Sequence, residues 1–299
     1  MGATDVSTAY SPAPEGGWTI ETVAAELLRC EDERIERPPF TDEWTDLDLD
    51  TGYQIQDLNL QKRLDRGEKL IGVKLGLTSR AKQQRMGVHF PFVAWLTDAM
   101  ILPVGDPVPQ DTLIHPRIEP EIVFVMRERL EGPGITCAQA MAAVESVWGG
   151  AEVIDSRYKD FRFKAGDVSA DNASSGAFVT GPIGVPPSEL DLATEAVLVE
   201  VDGVIVDSAT GAAVQGHPGE ALALAANDLA RRGHAIEAGW IVLTGGMTDA
   251  VFSPPGASVA MHFTNLGSVF LSGGDAPSDD DSSGSATEGA SAGSGTEGA

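Results

Sequence analysis

Eight short strand-like segments lie between Leu70 and Ser272, and they constrain the fold more than any other feature of the sequence. Each is rich in β-branched or large apolar residues, and glycine, proline and acidic residues separate most of them, as expected for strands joined by turns. The segments are LIGVKLGL, IEPEIVFVM, GAEVID, GAFVTG, AVLVEVDGVIVD, GWIVLTGG, SVAMHFT and GSVFLS. Because their spacing is irregular and shows no repeat, we predict an α+β fold with a mixed, rolled or barrel-like sheet, rather than a regular βαβ series.

Helical signals precede and interrupt these segments. A helix is predicted to start at a cap formed by Thr19 or Thr22 and to end before a pair of prolines. A second is predicted in YQIQDLNLQKRLDRG, and a third in GEALALAANDLARRGHAI, where Gly233 follows two arginines. The Asp202-Gly203 pair between two alternating runs predicts a β-hairpin.

Composition divides the chain into four parts. Residues 1–16 are rich in small residues and proline, and residues 273–299 contain no aliphatic residue larger than alanine, so we predict that both are disordered. Between them we predict a helical N-terminal part over residues 17–69 and a strand-rich core over residues 70–272.

The charge balance excludes one class of partner. The formal net charge is -25 and the basic residues form no run, which argues against nucleic acid. No apolar stretch approaches the roughly 20 residues of a membrane-spanning helix, and the first residues lack the features of a secretory signal. Cys30 and Cys137 lie far apart in the sequence. We therefore predict a cytoplasmic protein without membrane contact.

Two glutamates interrupt the most apolar of the predicted strands. Glu119 and Glu121 project from the same side of a strand, where two carboxylates repel unless a cation compensates them. Oxygen ligands suit Mg²⁺ or Mn²⁺, with Glu152 as a third ligand and Asp155 as its alternative. The competing interpretation is a solvated edge strand, which Pro120 would mark.

Lys74 lies in another predicted strand, between Gly72 and Gly76. Glycine allows close approach of a ligand, which favours a role for this lysine in a site. The alternative is a charge that protects an edge strand from aggregation. The histidines show no metal-ligand spacing, and no G-x-S-x-G nucleophile motif occurs.

Five blocks together resemble the 2-keto-4-pentenoate hydratase and 4-oxalocrotonate decarboxylase family of the fumarylacetoacetate hydrolase superfamily. They are GVKLGLTSRAKQQRMGV, IHPRIEPEIVFV, AEVIDSRYKDFRF, ADNASSGAFVTG and GWIVLTGG, and the resemblance covers roughly residues 50–272. It implies a β-roll core and a divalent metal, Mg²⁺ or Mn²⁺, bound by Glu119, Glu121 and Glu152.

The same resemblance implies further site residues. Lys74 corresponds to the lysine of the family's site, Ser175 of DNASS to a substrate contact, and Thr244 of LTGG to a weaker contact. Arg157 could bind a substrate carboxylate, or could form a structural ion pair with Asp155 or Asp160.

Local departures from the hydratase pattern favour decarboxylation. Phe92 stands where hydratases of this group carry an acid, and DSRYKDFRF is closer to the decarboxylase version of its block. We therefore predict metal-dependent decarboxylation of 2-oxohex-3-enedioate to 2-hydroxypenta-2,4-dienoate in aromatic meta-cleavage catabolism, with Phe92 as an apolar wall beside the departing carboxylate.

Two alternatives remain open. The first is a 2-oxopent-4-enoate hydratase, which would use the same metal and add water to 2-hydroxypenta-2,4-dienoate. The second is a non-catalytic metal-binding subunit of a pathway complex. The resemblance also implies a small 2-oxo acid substrate, a homo-oligomer, and association with a partner hydratase.

Overall fold

The computed structural model of the protein describes residues 10–79, 83–84 and 90–274. The predicted disorder of residues 1–9 and 275–299 lies outside these ranges. Residues at both borders of the described chain make contacts. The backbone N–H of Ser11 donates to Glu26 Oε1 at 2.8 Å, and Gly273 N donates to Ala257 O at 2.7 Å. Residues 10–16 and 273–274 are thus among the described residues, and the boundaries at 16 and 273 stay a prediction.

The described residues form five α-helices and eleven strands. The helices are α1 (Ile20–Asp32), α2 (Leu49–Asp65), α3 (Cys137–Ala142), α4 (Ala165–Ala170) and α5 (Pro218–Arg231). The strands are β1 (Leu70–Gly76), β2 (Phe92–Thr97), β3 (Arg117–Met126), β4 (Val144–Ile154), β5 (Ser175–Val185), β6 (Ala196–Val201), β7 (Val204–Thr210), β8 (Ile241–Leu243), β9 (Val251–Phe252), β10 (Ser258–Phe263) and β11 (Ser268–Ser272). None of the described helices is long and apolar enough to span a membrane.

The larger sheet has seven strands and mixed direction. Its order is β2-β1-β8-β3-β4-β5, and β9 pairs with one end of β3. The pairing of β1 with β8 is parallel, and the other pairs of this sheet are antiparallel. The long antiparallel ladder of β3 and β4 brings residues 117–126 opposite residues 144–154. This ladder carries the acidic residues considered below.

The smaller sheet has four antiparallel strands in the order β11-β10-β6-β7. The predicted hairpin joins β6 to β7: Val201 pairs with Val204, and Asp202 and Gly203 both have positive φ, as a type I′ turn requires. Apolar residues of both sheets and of α5 belong to one buried cluster, which includes Ile122, Val259 and Leu229. The α+β class with a β-roll core is confirmed, and the described strands form two open sheets.

The predicted helices form close to their sequence signals. Thr19 caps α1 in a capping box that Thr22 completes, so both candidate residues take part. The second helix starts four residues before the predicted segment because Asp48 Oδ1 accepts a hydrogen bond from Thr51 N at 2.8 Å. Gly233, with φ of 80°, follows α5.

The N-terminal helices have an apolar cluster of their own. It joins α1 and α2 to Tyr158 and Ala170, which come from the segment between β4 and β5. Arg37 is fully buried in this region, and its guanidinium lies 3.4 Å from the ring centroid of Phe40. The helices thus pack on the chain that supports the cavity described below, and the domain boundaries at 69 and 70 stay a prediction.

Candidate metal centre

Three glutamates converge on one face of the β3–β4 ladder. Glu119 lies directly opposite Glu152, and Glu121 follows two residues later on the same face. One carboxylate oxygen from each lies within 4.8 Å of the other two. Since β3 pairs with β4 on one side and with β8 on the other, Pro120 does not mark an edge strand. The edge-strand interpretation of this segment was wrong.

Two of these carboxylates are buried, and the third, that of Glu119, is partly buried. Glu121 is 0% exposed and Glu152 is 2% exposed. Burial, followed by the charges of Glu152 and Glu119, raises the pKa of Glu121 well above its ordinary value. Burial also raises the pKa of Glu152, although Lys74 opposes the shift. Three carboxylates in this setting need a compensating positive charge.

The donor set fits a hard divalent cation. Glu121 Oε2 accepts a hydrogen bond from Gly245 N at 2.6 Å. Its other oxygen, Oε1, is buried and has no hydrogen-bond partner among the described residues. A buried carboxylate oxygen without a donor, beside two further carboxylates, is the arrangement that Mg²⁺ and similar ions complete. Asp155, the alternative ligand, instead accepts the N–H groups of Ile114 and His115 at 3.0 and 2.8 Å.

Lys74 is the cation beside these acids within the described part of the chain. Its Nζ lies 2.9 Å from Glu152 Oε1 and donates to Ala173 O, and the residue is 2% exposed. Strand β1 lies between β2 and β8, so the edge-strand interpretation was wrong here too. Gly72 is required by packing, because a Cβ there would lie 2.0 Å from Ile241 O.

A left-handed turn forms the cavity wall that faces Lys74. Asn172, Ala173 and Ser174 have φ values of 47°, 49° and 58°. Three consecutive non-glycine residues in this region are strained and need external support. Asn172 provides it, because its amide pairs with the N–H and C=O of Trp95 at 2.9 Å each. The turn directs Ala173 O towards the lysine.

The turn also decides which serine reaches the cavity. Ser174 lines it, and its buried Oγ has no hydrogen-bond partner in the described chain. Ser175, the predicted substrate contact, does not line this cavity, and its Oγ donates to Asn172 O at 2.7 Å. The structure therefore brings Ser174, rather than Ser175, beside the acids.

Arg157 supports the turn from behind. Its Nε pairs with Asp171 Oδ1, one Nη donates to Asp171 O at 2.7 Å, and the other donates to Ser175 O at 3.0 Å. Burial raises the pKa of Asp171 to about 6, although Arg157 opposes the shift. The partner is thus neither Asp155 nor Asp160, and Arg157 lies outside the cavity lining. Its predicted contact with substrate is not supported by its position.

The LTGG segment acts through its glycines. Thr244 is fully buried, and its Oγ1 donates to Ile122 O at 2.8 Å, so its hydroxyl is unavailable to a ligand. Gly245 has φ of 107° and supplies the N–H that binds Glu121. A Cβ on Gly246 would lie 2.3 Å from Glu119 Oε2. Sequence reasoning missed both glycines, although the doubled glycine was a usable signal.

The rest of the cavity is largely apolar. Phe92 is 1% exposed and forms part of its wall, and its place beside the departing carboxylate stays a prediction. The other apolar side chains that line the cavity are Leu77, Ile154, Phe161, Phe163, Val168 and Ala173. Glu119 and Glu152 are the only acids among the described lining residues. The cavity lining thus combines a few charged groups with a largely apolar wall.

Comparison with known proteins supports a single family. The model of the fumarylacetoacetate (FAA) hydrolase C-terminal family matches residues 69–270. The chain is 42% identical over 232 residues to 4-oxalocrotonate decarboxylase from Pseudomonas sp. (strain CF600), covering 78% of this chain and 88% of that protein. It is 41% identical over 217 residues to 2-hydroxypent-2,4-dienoate hydratase from Pseudomonas putida, covering 72% and 98%.

A solved structure is similar over most of the chain. This is 4-oxalocrotonate decarboxylase from Pseudomonas putida G7 complexed with magnesium and adipate. The TM-score is 0.82 at 38% identity, and the match covers 85% of this chain and 96% of that one. Both the helical N-terminal part and the two sheets therefore have counterparts in one known fold.

Proposed function

The chain belongs to the fumarylacetoacetate hydrolase family, and from this premise we propose that it is a divalent-metal-dependent 4-oxalocrotonate decarboxylase. Its substrate would be 2-oxohex-3-enedioate and its product 2-hydroxypenta-2,4-dienoate, in aromatic meta-cleavage catabolism. The observation that carries the proposal is a cavity lined by Lys74, by three phenylalanines and by Glu119 and Glu152, two of the three clustered carboxylates.

We propose that Glu119, Glu121 and Glu152 bind the metal, and that this is Mg²⁺ or Mn²⁺. Support comes from the buried Glu121 oxygen that lacks a donor, from the all-oxygen ligand set, and from the magnesium in the similar decarboxylase. When bound, such an ion would supply a Lewis acid for the negative charge that develops on the 2-oxo oxygen.

The residues of the chain would orient the substrate and move one proton. In the reaction the C5–C6 bond breaks, CO₂ departs, and the electron pair passes through the conjugated carbons to the 2-oxo oxygen. That oxygen then takes a proton, which we assign to Lys74 because its Nζ is buried beside Glu152. The Ser174 hydroxyl, which lacks a protein partner in the described chain, would donate to the substrate's 2-oxo acid end.

The apolar wall favours decarboxylation over hydration. A departing carboxylate is destabilised in the ground state by apolar surroundings, and Phe92, Phe161 and Phe163 provide them. Adding water would require a further general base. Within the described lining, only Glu119 and Glu152 are carboxylates, and both belong to the proposed metal site.

A paired substrate assay tests the proposal. Purified protein with Mg²⁺ is incubated with 2-oxohex-3-enedioate and, separately, with 2-hydroxypenta-2,4-dienoate. We expect CO₂ release from the first and no hydration of the second. Hydration without CO₂ release would identify a hydratase instead, and no turnover of either substrate would identify a non-catalytic subunit.

Phe92→Asp is an informative variant, since it restores the acid of the hydratase pattern and should reduce CO₂ release.

We infer that the protein self-associates, and we propose a second copy of the chain as the partner of strand β7. This strand is the edge of the smaller sheet, and Val204, Ile205 and Val206 are all at least half exposed. Three consecutive exposed apolar residues at a sheet edge, on a chain of net charge -25, favour pairing between copies. Light scattering should give an oligomer for the wild type and a smaller species for Ile205→Lys. Binding of a partner hydratase can be measured in the same way.

We propose a cytoplasmic location. Support comes from Cys30 and Cys137, which are both free thiols in the structure. Burial raises the pKa of Cys30 to about 12, so its thiol should stay unreactive near neutral pH. Fractionation of cells that express the tagged protein tests this proposal, and recovery outside the cytoplasmic fraction would contradict it.

A further inference from the structure

Arg117 lies on the same face of the sheet as the three acids. It is the first residue of β3 and pairs with Ile154, and residues opposite one another in an antiparallel ladder share a face. Ile154 lines the cavity. The backbone of Arg117 is therefore about 7 Å along the strand from Glu119. Arg117 precedes Glu119 by two residues, and Glu121 follows Glu119 by two residues, so Arg117 and Glu121 lie on opposite sides of Glu119 along the strand.

The guanidinium of Arg117 is held by an aromatic ring and not by an acid. Its Cζ lies 4.2 Å from the ring centroid of Phe161, which lines the cavity. Its Nε is buried, and within residues 10–79, 83–84 and 90–274 no hydrogen bond or ion pair reaches the side chain. His115 packs on the same ring at 4.7 Å, and burial lowers its pKa, so Arg117 is the cation at this end.

Among the described arginines, only Arg117 and Arg34 form no ion pair with a carboxylate, and Arg34 Nε instead donates to Leu113 O at 2.9 Å. Acidic residues number 45 and basic residues 20, so acids are abundant enough to pair with every cation. A buried guanidinium nitrogen without an acceptor has a desolvation cost unless an anion approaches it. The cavity lies beside Phe161, so a ligand anion bound there would lie within range of the Arg117 charge without contacting its nitrogens.

We propose that Arg117 determines specificity for a dicarboxylate by attracting the distal carboxylate of the substrate across the ring of Phe161. The inference rests on the proposed function, in which the 2-oxo acid end of the substrate lies at the three glutamates. The other end of a six-carbon chain then extends along the same sheet face towards Arg117.

The ring of Phe161 explains how Arg117 can attract the distal carboxylate without preventing its loss as CO₂. A direct bidentate ion pair would stabilise the carboxylate that must leave as CO₂, and so would slow the reaction. With an aromatic ring between them, the charge of Arg117 acts at longer range and the immediate surroundings of the carboxylate stay apolar. Arg117 should therefore affect KM for the diacid more than kcat.

Calorimetry with two matched ligands tests this proposal. Adipate and hexanoate have the same chain length and differ in the distal carboxylate, so their ratio of dissociation constants isolates its contribution. Both are titrated into the Mg²⁺-loaded wild type and into Arg117→Met, Arg117→Lys and Arg127→Met. Arg127 is the matched control, because it directly follows the other end of β3 and is exposed.

We expect Arg117→Met to weaken adipate binding by on the order of tenfold and to leave hexanoate binding unchanged. Arg117→Lys should retain part of the preference for adipate over hexanoate, and Arg127→Met should retain all of this preference. Equal losses for both ligands would indicate a structural role and overturn the proposal, as would a wild type that does not prefer adipate. If Arg117→Met does not fold, the Arg117→Lys ratio decides in the same way. Because the readout is binding, a protein without decarboxylase activity still gives a result, so the two proposals can fail separately.

Discussion

Glu121 is the residue on which the proposed metal site most depends. It is fully buried, and its Oε1 lacks a hydrogen-bond donor in the described part of the chain. Glu121→Gln keeps an oxygen for Gly245 N and removes one of the three negative charges. We expect the variant to lose the Mg²⁺-induced rise in melting temperature and at least about 100-fold in kcat/KM.

The metal-free melting temperature of this variant should not fall, since removing a repelling charge relieves the other two acids. Thermal denaturation with Mg²⁺ and with EDTA measures both effects. Glu145→Gln is the control, because Glu145 is exposed on the neighbouring strand β4. A normal Mg²⁺ response in Glu121→Gln would contradict the assignment.

The raised pKa values of the buried acids predict how metal stabilisation depends on pH. Because Glu121 and Glu152 have raised pKa values, the metal-free folded protein binds more protons than the unfolded chain. Its stability from these groups is present at low pH and is lost as pH rises through the raised values. A bound cation removes that loss, since it favours the ionised form.

The gap in melting temperature between Mg²⁺ and EDTA samples should therefore widen as the pH rises from about 5 to about 8. Melting curves over this range check the trend. A gap that stays constant or narrows would show that the acids do not titrate as the structure indicates. In Glu121→Gln this gap in melting temperature should depend less on pH than it does in the wild type.

At the residue scale, the sequence predicted the acids better than their neighbours. Strand alternation places Glu119 and Glu121 on one face, and that rule depends only on local backbone geometry. Ser174 and Ser175 are adjacent, and which of them enters the cavity depends on a left-handed turn held by distant contacts. Such long-range support has no local sequence signal, so the sequence alone cannot distinguish Ser174 from Ser175.

At the element scale, the turn at residues 172–174 links the cavity to strand β2. Asn227 offers a matched comparison, because its amide pairs with the N–H and C=O of Ile135 at 2.8 and 2.9 Å, just as that of Asn172 pairs with Trp95. We expect both Asn172→Ala and Asn227→Ala to lower the free energy of unfolding by about 1–3 kcal/mol.

Only Asn172→Ala should also lower kcat, since only its turn carries Ala173 and Ser174 beside Lys74. Urea denaturation and steady-state kinetics separate the two effects. If both variants lose activity in proportion to their stability, the turn has no specific role in the cavity. Similar kcat values in the two variants and the wild type would lead to the same conclusion.

Elements were predictable where their signals are local. The capping box of α1 and the positive-φ pair of the β6–β7 hairpin follow from neighbouring residues. Strand β2 and helix α4 were not predicted. All six residues of β2 are buried, so it lacks the alternation of a half-exposed strand. The six residues of α4, AGDVSA, are too few to show helical periodicity, and the helix is held by packing on α2.

At the scale of the whole molecule, net charge and metal binding both affect stability, and they can be separated. A formal charge of -25 makes the folded chain repel itself, and dissolved salt screens this repulsion over a Debye length of about 10 Å at 0.1 M. We therefore expect the melting temperature to rise gradually with NaCl, in the wild type and in Glu121→Gln alike, because one charge in 25 changes little.

Mg²⁺ at the same ionic strength should add a second increment in the wild type alone. Stabilisation by a bound metal rises with the logarithm of the free metal concentration once this exceeds the dissociation constant. Stabilisation by screening depends only on ionic strength and is the same for any salt. Melting curves in NaCl and MgCl₂ series of matched ionic strength, for both proteins, resolve the two. If MgCl₂ and NaCl give equal shifts in the wild type, the divalent ion acts only by screening. In that case the cluster of Glu119, Glu121 and Glu152 does not bind it, and the folded state tolerates the three clustered acids through protonation and Lys74.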